Sequence, residues 1–266
     1  MSESGRGQRG FALIIVLWMV GVLALIVSGL LAAAHVDARV TAGLRNDAAG
    51  RAAADAALSQ AVIEILRTGR AVSGPRRVGD VPVQISWTDL SGRLNPNIAS
   101  VAMLNAFLLQ LDVPERNAEN LSAAIIDWRS PGEASRLGGT KAARYRDSGL
   151  GYRPPGRPFE TLDEIGFVMG VTPALLAAMK PHLTLWSEND PEPSNADAVV
   201  LAALRATGVP VTGRPSTQAR VIAITAAAAP LGGGMIVRRA VIKFGFSPDG
   251  RGWRILAWDD GADLSK

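Results

Sequence analysis

Hydrophobic and polar positions follow three successive patterns along the chain. Phe11 to Ala34 carry no charge over 24 positions, interrupted only by Gly21, Ser28 and Gly29. At 1.5 Å per residue, a helix of that length crosses a hydrocarbon core of about 30 Å. Val36, Val40 and Leu44, and again Leu58, Val62 and Leu66, then recur every four residues, with Asp, Arg and Gln between them. This spacing predicts an amphipathic continuation of the same helix to about Arg67, where Gly69 ends it; Gly43 and Gly50 weaken it locally. Beyond it the pattern changes period. Val81, Val83, Ile85 and Trp87 alternate, which predicts a half-buried strand over 80–88. The turn-rich Asp89-Leu-Ser-Gly-Arg-Leu-Asn-Pro-Asn97 follows, with Asn97 placed to cap a helix. That helix gathers Val101, Leu104, Phe107, Leu108 and Leu111 on one face. Pro114 opens another, with Ala118, Leu121, Ile125 and Trp128 on its apolar side.

Residues 130–158 read as loop. Leu162, Ile165 and Val168 face one way, and Pro173 starts a helix with Leu175, Leu176 and Met179. The acidic, proline-bearing 188–195 is the best linker candidate, and Ala196 to Arg205 has a helical pattern. Three β-rich runs close the chain, 219–227, 235–246 and 253–258. Pro230-Leu-Gly-Gly-Gly and Ser247-Pro-Asp-Gly-Arg separate them, and such turn chemistry predicts an antiparallel meander. The order strand, helices, strands predicts an α+β fold with a large inserted all-helical domain rather than βαβ units. The expected units are a spine helix with the first strand over 35–90, the insertion over 91–187 and the rest of the sheet over 188–266.

Composition removes most chemistry. The chain has 266 residues, 48% of them hydrophobic, and no cysteine, so disulfide scaffolds, zinc fingers and thiol nucleophiles are excluded. Two histidines, His35 and His182, leave no His-rich metal centre. Ser91-Gly and His182 form no nucleophile motif, and Asp163-Glu164 lie on adjacent helix faces without converging. Gly232-Gly233-Gly234 lacks a following Lys-Ser or Lys-Thr and reads as a hairpin. No catalytic constellation is found, so the expectation is a protein that is not an enzyme. The net charge of +4 comes without any run of five basic residues, and no nucleic-acid partner is expected. Met169-Gly170-Val171 resembles a helix-hairpin-helix turn, but Thr172 stands where DNA-binding versions carry a second glycine. A compact helical corner is therefore the preferred reading, and a membrane-anchored DNA-uptake protein is the rival reading from another class.

Arg6 and Arg9 precede the apolar run, whereas Asp37 offsets Arg39 after it, so the positive-inside rule places the N-terminus in the cytoplasm. Three readings of this segment compete. A signal anchor needs only these features, and a cleaved signal peptide would use Ala32-Ala33-Ala34, although its apolar region is normally shorter. The junction Arg9-Gly10-Phe11-Ala12-Leu13 also resembles a type IV prepilin leader. That resemblance implies a leader over 1–10, cleavage by prepilin peptidase between Gly10 and Phe11, N-methylation of Phe11 and a single transmembrane helix over 11–34. Most pilin-like proteins carry Glu at the fifth mature position, which here is Ile15.

Several segments in order extend the resemblance. They are Gly10-Phe11, Ile15, Asp89 to Asn97, Ile125-Ile-Asp-Trp-Arg129, Leu162-Asp-Glu-Ile165 with Met169-Gly-Val-Thr-Pro173, and Arg254-Ile-Leu-Ala-Trp258. Together they resemble the K-type minor pseudopilin family of the type II secretion system. The family likeness implies a long N-terminal helix packed on an antiparallel sheet, with the helical domain inserted into it. It also implies a tip position on the pseudopilus and a role in protein export across the outer membrane. Implied partners are other minor pseudopilins, the major pseudopilin and prepilin peptidase. The implied location is the bacterial inner membrane, single-pass, with the C-terminal domain periplasmic. A type IV pilus minor pilin is a neighbouring alternative. The family is associated with calcium, which takes six to eight oxygen ligands. Candidates here are Asp89, Asp127 and Glu133, with Asp259-Asp260 as a further source; each reads more readily as a cap or a solvated surface residue.

Overall fold

The computed structural model describes residues 7–68, 70–208, 220–245 and 252–259; within the first helix, side chains are described for 14–29 and 41–68. Helix α1 (Gly7–Thr68) runs unbroken for 62 residues, about 93 Å at 1.5 Å per residue. The junction Gly10-Phe11 lies in its backbone, but the side chains there fall outside the described residues, as do Val36 and Val40. The span expected over 11–34 is affected in the same way. Described side chains cover only 14–29 of it, about 24 Å, and among the described residues no helix is long and apolar enough to cross a membrane.

One face of α1 packs on the sheet through Ala53, Ala54, Ala57, Leu58, Ala61, Val62 and Ile65. Four alanines in this stripe let the helix sit close to the strands. The four-residue spacing read from the sequence holds for Leu58 and Val62 but not at its ends. Leu44 is exposed because it lies beyond the sheet. Leu66 is rotated about 80° from Leu58 at 3.6 residues per turn, so Ile65 is buried in its place. Gly50 is buried where the 230–236 segment crosses the helix: a Cβ there would come 2.6 Å from Ile236 Cδ1.

Five antiparallel strands form the sheet in the order β1-β2-β3-β4-β5. They are β1 (Gly74–Val78), β2 (Val81–Asp89), β3 (Arg220–Ala228), β4 (Ile236–Phe244) and β5 (Trp253–Asp259). Strand β2 alternates as expected, with Val83 and Ile85 buried against α1, and β3 to β5 form the expected meander. Strand β1 was not legible from alternation, because Gly-Pro-Arg-Arg-Val is a short, charged edge strand. Its signal is the two-residue turn Gly79-Asp80, with Gly79 at φ 58°.

The chain leaves the sheet at Asp89 and returns at Arg220. Between them lie α2 (Val101–Leu109), α3 (Glu115–Arg129), α4 (Lys141–Asp147), a 3-10 segment (Leu162–Phe167), α5 (Pro173–Met179) and α6 (Ala198–Ala206). Their shared core includes Leu104, Phe107, Ile125, Ile165, Met179 and Leu204. Val200, Ala203 and Leu204 of α6 belong to this core, so the boundary placed at 187 falls inside the helical body. The loop expected over 130–158 contains α4, capped by Thr140 Oγ1, which accepts from Ala143 N at 3.2 Å. Residues 188–195 are not a free linker. Pro191 is buried, and Glu192 N donates to Ser91 O at 2.8 Å.

Candidate functional site

The helical body is the feature a plain helix-on-sheet fold lacks, and its attachment begins at Asp89. Arg220 donates from Nε and Nη2 to Asp89 Oδ2 at 3.0 and 2.9 Å. Ser91 N donates to Asp89 Oδ1 at 2.9 Å, with the Ser91 hydroxyl on the same oxygen. Asn195 Nδ2 donates to Ser91 Oγ at 3.1 Å and to Asp89 Oδ2 at 3.3 Å. One carboxylate thus joins the outgoing strand, the incoming strand and the segment before α6. Gly92 completes this neck: a Cβ there would run into Asn195 C and O, with Ala196 N 2.5 Å away. Asn95 Nδ2 adds bonds to Ser187 O at 2.5 Å and Leu185 O at 3.3 Å. Behind the neck, Leu90, Val221, Ala223 and Val241 form a small core on the sheet face opposite α1.

Asn97 does not cap α2; Ser100 does, its Oγ accepting from Met103 N at 3.1 Å. Asn97 instead pairs with the backbone of Phe159, donating to its O at 2.9 Å and accepting from its N at 2.7 Å. This tie closes a segment 62 residues downstream over Trp128. The Trp128 ring stacks on Phe159 at 6.0 Å, Tyr152 meets it edge-on, and Tyr145 lies tilted 6.3 Å away. Trp128 Nε1 is buried without a hydrogen-bond partner, so the indole is held by stacking and packing. Tyr145 is almost fully buried, and its hydroxyl accepts from Met169 N at 3.1 Å. Burial pushes its pKa up from 10.0 to about 12. The stabilisation from a neutral Tyr145 is complete below about pH 10 and is lost as pH rises through about 12. Ultraviolet titration should therefore show a phenol still protonated near pH 11, released together with loss of near-ultraviolet circular dichroism.

The candidate metal ligands do not converge. Asp89 is taken up by the neck. Asp127 accepts from Ser135 Oγ at 2.6 Å and from Arg136 N at 3.1 Å. Glu133 is exposed and faces Arg153 at 3.5 Å. Asp260 lies outside the described residues, and among those described no group of three or more His, Asp or Glu is placed to hold a metal ion. Lys141, missed in the sequence, is buried beside this loop and donates from Nζ to Ser130 O at 2.6 Å. No local pattern marks it.

The turn resembling a helix-hairpin-helix points inward. Gly170 has φ 89°, and a Cβ on it would meet Leu121 Cδ2 at 3.1 Å, while Val171 N donates to Val168 O. His182 is a core-edge residue whose ring meets Phe107 edge-on at 6.0 Å. Its Nδ1 lies 2.8 Å from Asp197 Oδ2. Partial burial opposes ionisation of Asp197, but bonds from His182, Val200 N and Val199 N hold its pKa below the usual value. Asp197 is also the N-cap of α6.

Residues 88–188 match the model of the first domain of type II secretion system protein K. Over those residues the chain is similar to the protein K family. The match begins at the end of β2 and spans α2 to α5 and the aromatic cluster. A chain in the crystal structure of the GspK-GspI-GspJ complex from the enterotoxigenic Escherichia coli type 2 secretion system shares the fold. The TM-score is 0.60 at 16% identity, over 86% of this chain and 99% of that one. No curated protein matches the chain. The family match and the shared fold support the type II secretion minor pseudopilin K read from the sequence.

Proposed function

We propose that this minor pseudopilin K occupies the tip of the pseudopilus and supports protein export across the outer membrane. One observation carries the reading: the protein K domain is inserted between β2 and β3 of a sheet seated on a single long helix. A bulky body on one end of such a unit suits a subunit with neighbours on one side only. Ile15 agrees with that position, since it offers no carboxylate to the amine of a subunit stacked above. The described side chains from Ile14 to Val27 form an exposed apolar sleeve, which suits a single membrane pass with the sheet and helical body periplasmic. On this reading Gly10-Phe11 is the prepilin peptidase junction, Phe11 is N-methylated, and two further minor pseudopilins and the major pseudopilin are the partners. The role is assembly, not catalysis.

The test is genetic and biochemical together. Deleting the gene should abolish export, and a chain lacking 91–208 should not restore it although its membrane level is normal. Mass spectrometry of the complementing wild-type protein should find N-methylated Phe11 at the N-terminus. Normal export without the gene would overturn the function, and a mature chain starting at His35 would overturn the pilin-like assembly.

A further inference from the structure

Where α2 begins and α3 ends, the helical body carries an open cleft of about 400 Å³. Ile98, Ser100 and Val101 form one wall, and Arg129 and Arg136 the other. Arg129 stands in the last turn of α3 and donates from Nη2 to Ala99 O at 2.6 Å. Arg136 comes from the following loop and is exposed. A guanidinium carries five N–H donors, and among the described residues neither of these two is paired with a carboxylate. The acids nearest in sequence are engaged elsewhere: Asp127 accepts from Ser135 Oγ and Arg136 N, and Glu133 faces Arg153.

Both cations line the same cleft. Planar guanidinium forks match the two oxygens of a carboxylate. The cleft is also several times larger than a single oxyanion. Its rim holds Ile98 at 42% and Val101 at 37% exposure, apolar surface that a small ion would leave uncovered. A carboxylate carried on an apolar stem, with apolar neighbours in its chain, uses both features.

We propose that this cleft binds a Glu or Asp side chain of a partner polypeptide, with Arg129 and Arg136 on its oxygens and Ile98 and Val101 against the flanking residues. The proposal rests on the assembly reading only for where the partner comes from. Binding is measured without secretion, so failure of one leaves the other standing.

The full chain in detergent micelles is titrated calorimetrically with acetylated, amidated Leu-Glu-Leu, with Leu-Gln-Leu and with sodium phosphate. The Glu peptide should bind at least about tenfold more tightly than the Gln peptide, a difference of about 1.4 kcal/mol. Arg136→Gln should erase that preference, and Arg146→Gln, an exposed arginine of α4 outside the cleft, should retain it. Arg136 is the primary variant because Arg129 also holds Ala99 O and its loss disturbs the fold. Equal binding of the two peptides, or a preference that survives Arg136→Gln, would overturn the proposal. Phosphate that binds and is not displaced by the Glu peptide would overturn the partner assignment.

Discussion

Replacing Gly92 with alanine should loosen the helical body from the sheet and lower the melting temperature by about 10 °C. The backbone of Asn195 and Ala196 occupies the space a Cβ would need, with Ala196 N 2.5 Å away. The obstacle is main chain, so no rotamer change relieves it. Asn195 is itself held by Ser91 and Asp89, and Glu192 N by Ser91 O. Overpacking costs typically 1–3 kcal/mol, and this site belongs at the upper end or above it. For a chain of this size each kcal/mol shifts the midpoint by about 2–4 °C. Gly151→Ala is the control, because nothing lies within 4 Å of its added Cβ and its φ is ordinary. Circular dichroism melts of the full chain in detergent measure both. A Gly92→Ala midpoint within about 2 °C of wild type, judged on the same scale, would show that the neck is not closed in this way.

Asp55→Ala should detach α1 from the far half of the sheet. Asp55 accepts two bonds from Arg238, Nε and Nη2 each at 3.0 Å, and one from Trp258 Nε1 at 3.1 Å. A single carboxylate therefore ties the helix to β4 and β5. Hydrogen bonds to a charged group contribute about 1.5–3 kcal/mol, and the half-buried setting, 34% exposed at Asp55 and 20% at Arg238, argues for a total near the upper figure rather than a multiple of it. The expected loss is about 3 kcal/mol, confined to the helix–sheet layer. Hydrogen exchange should accelerate across 53–65 and in β5 while α2 and α3 keep their protection. Asp55→Asn, which retains an acceptor, should lose less. Uniform acceleration through both bodies would show that the clasp is not local.

Both predictions rest on contacts that no local pattern announces. Asp89 and Arg220 are 131 residues apart, and Asp55 and Arg238 are 183 apart. A charged residue on a strand edge or helix flank reads in sequence as solvated surface. Only the closing of the helical body on the sheet, and of the helix on the strands, selects which acid meets which base. Lys141 belongs to the same class: its burial follows from the course of the loop after α3. Asn97 shows how a correct local signal is redirected. It stands before a helix as a cap would, but Ser100 is nearer the first turn, which frees Asn97 to pair with Phe159.

The amino-acid sequence by itself determined the elements with a strong period: the α1 stripe at Leu58 and Val62, the alternation of β2, the β3–β5 meander, the apolar face of α3 and the Pro173 start of α5. Each is set by which side of one element avoids water, and that preference is written in neighbours a few residues apart. The ordered motifs from Asp89 to Pro173 likewise point to the K-type body. Tertiary structure alone decided the edge strand β1, the short α4, the assignment of α6 to the helical body and the neck that locks 89–92 against 192–196. These elements are too short to carry a period, and their stability comes from surfaces supplied by distant parts of the chain.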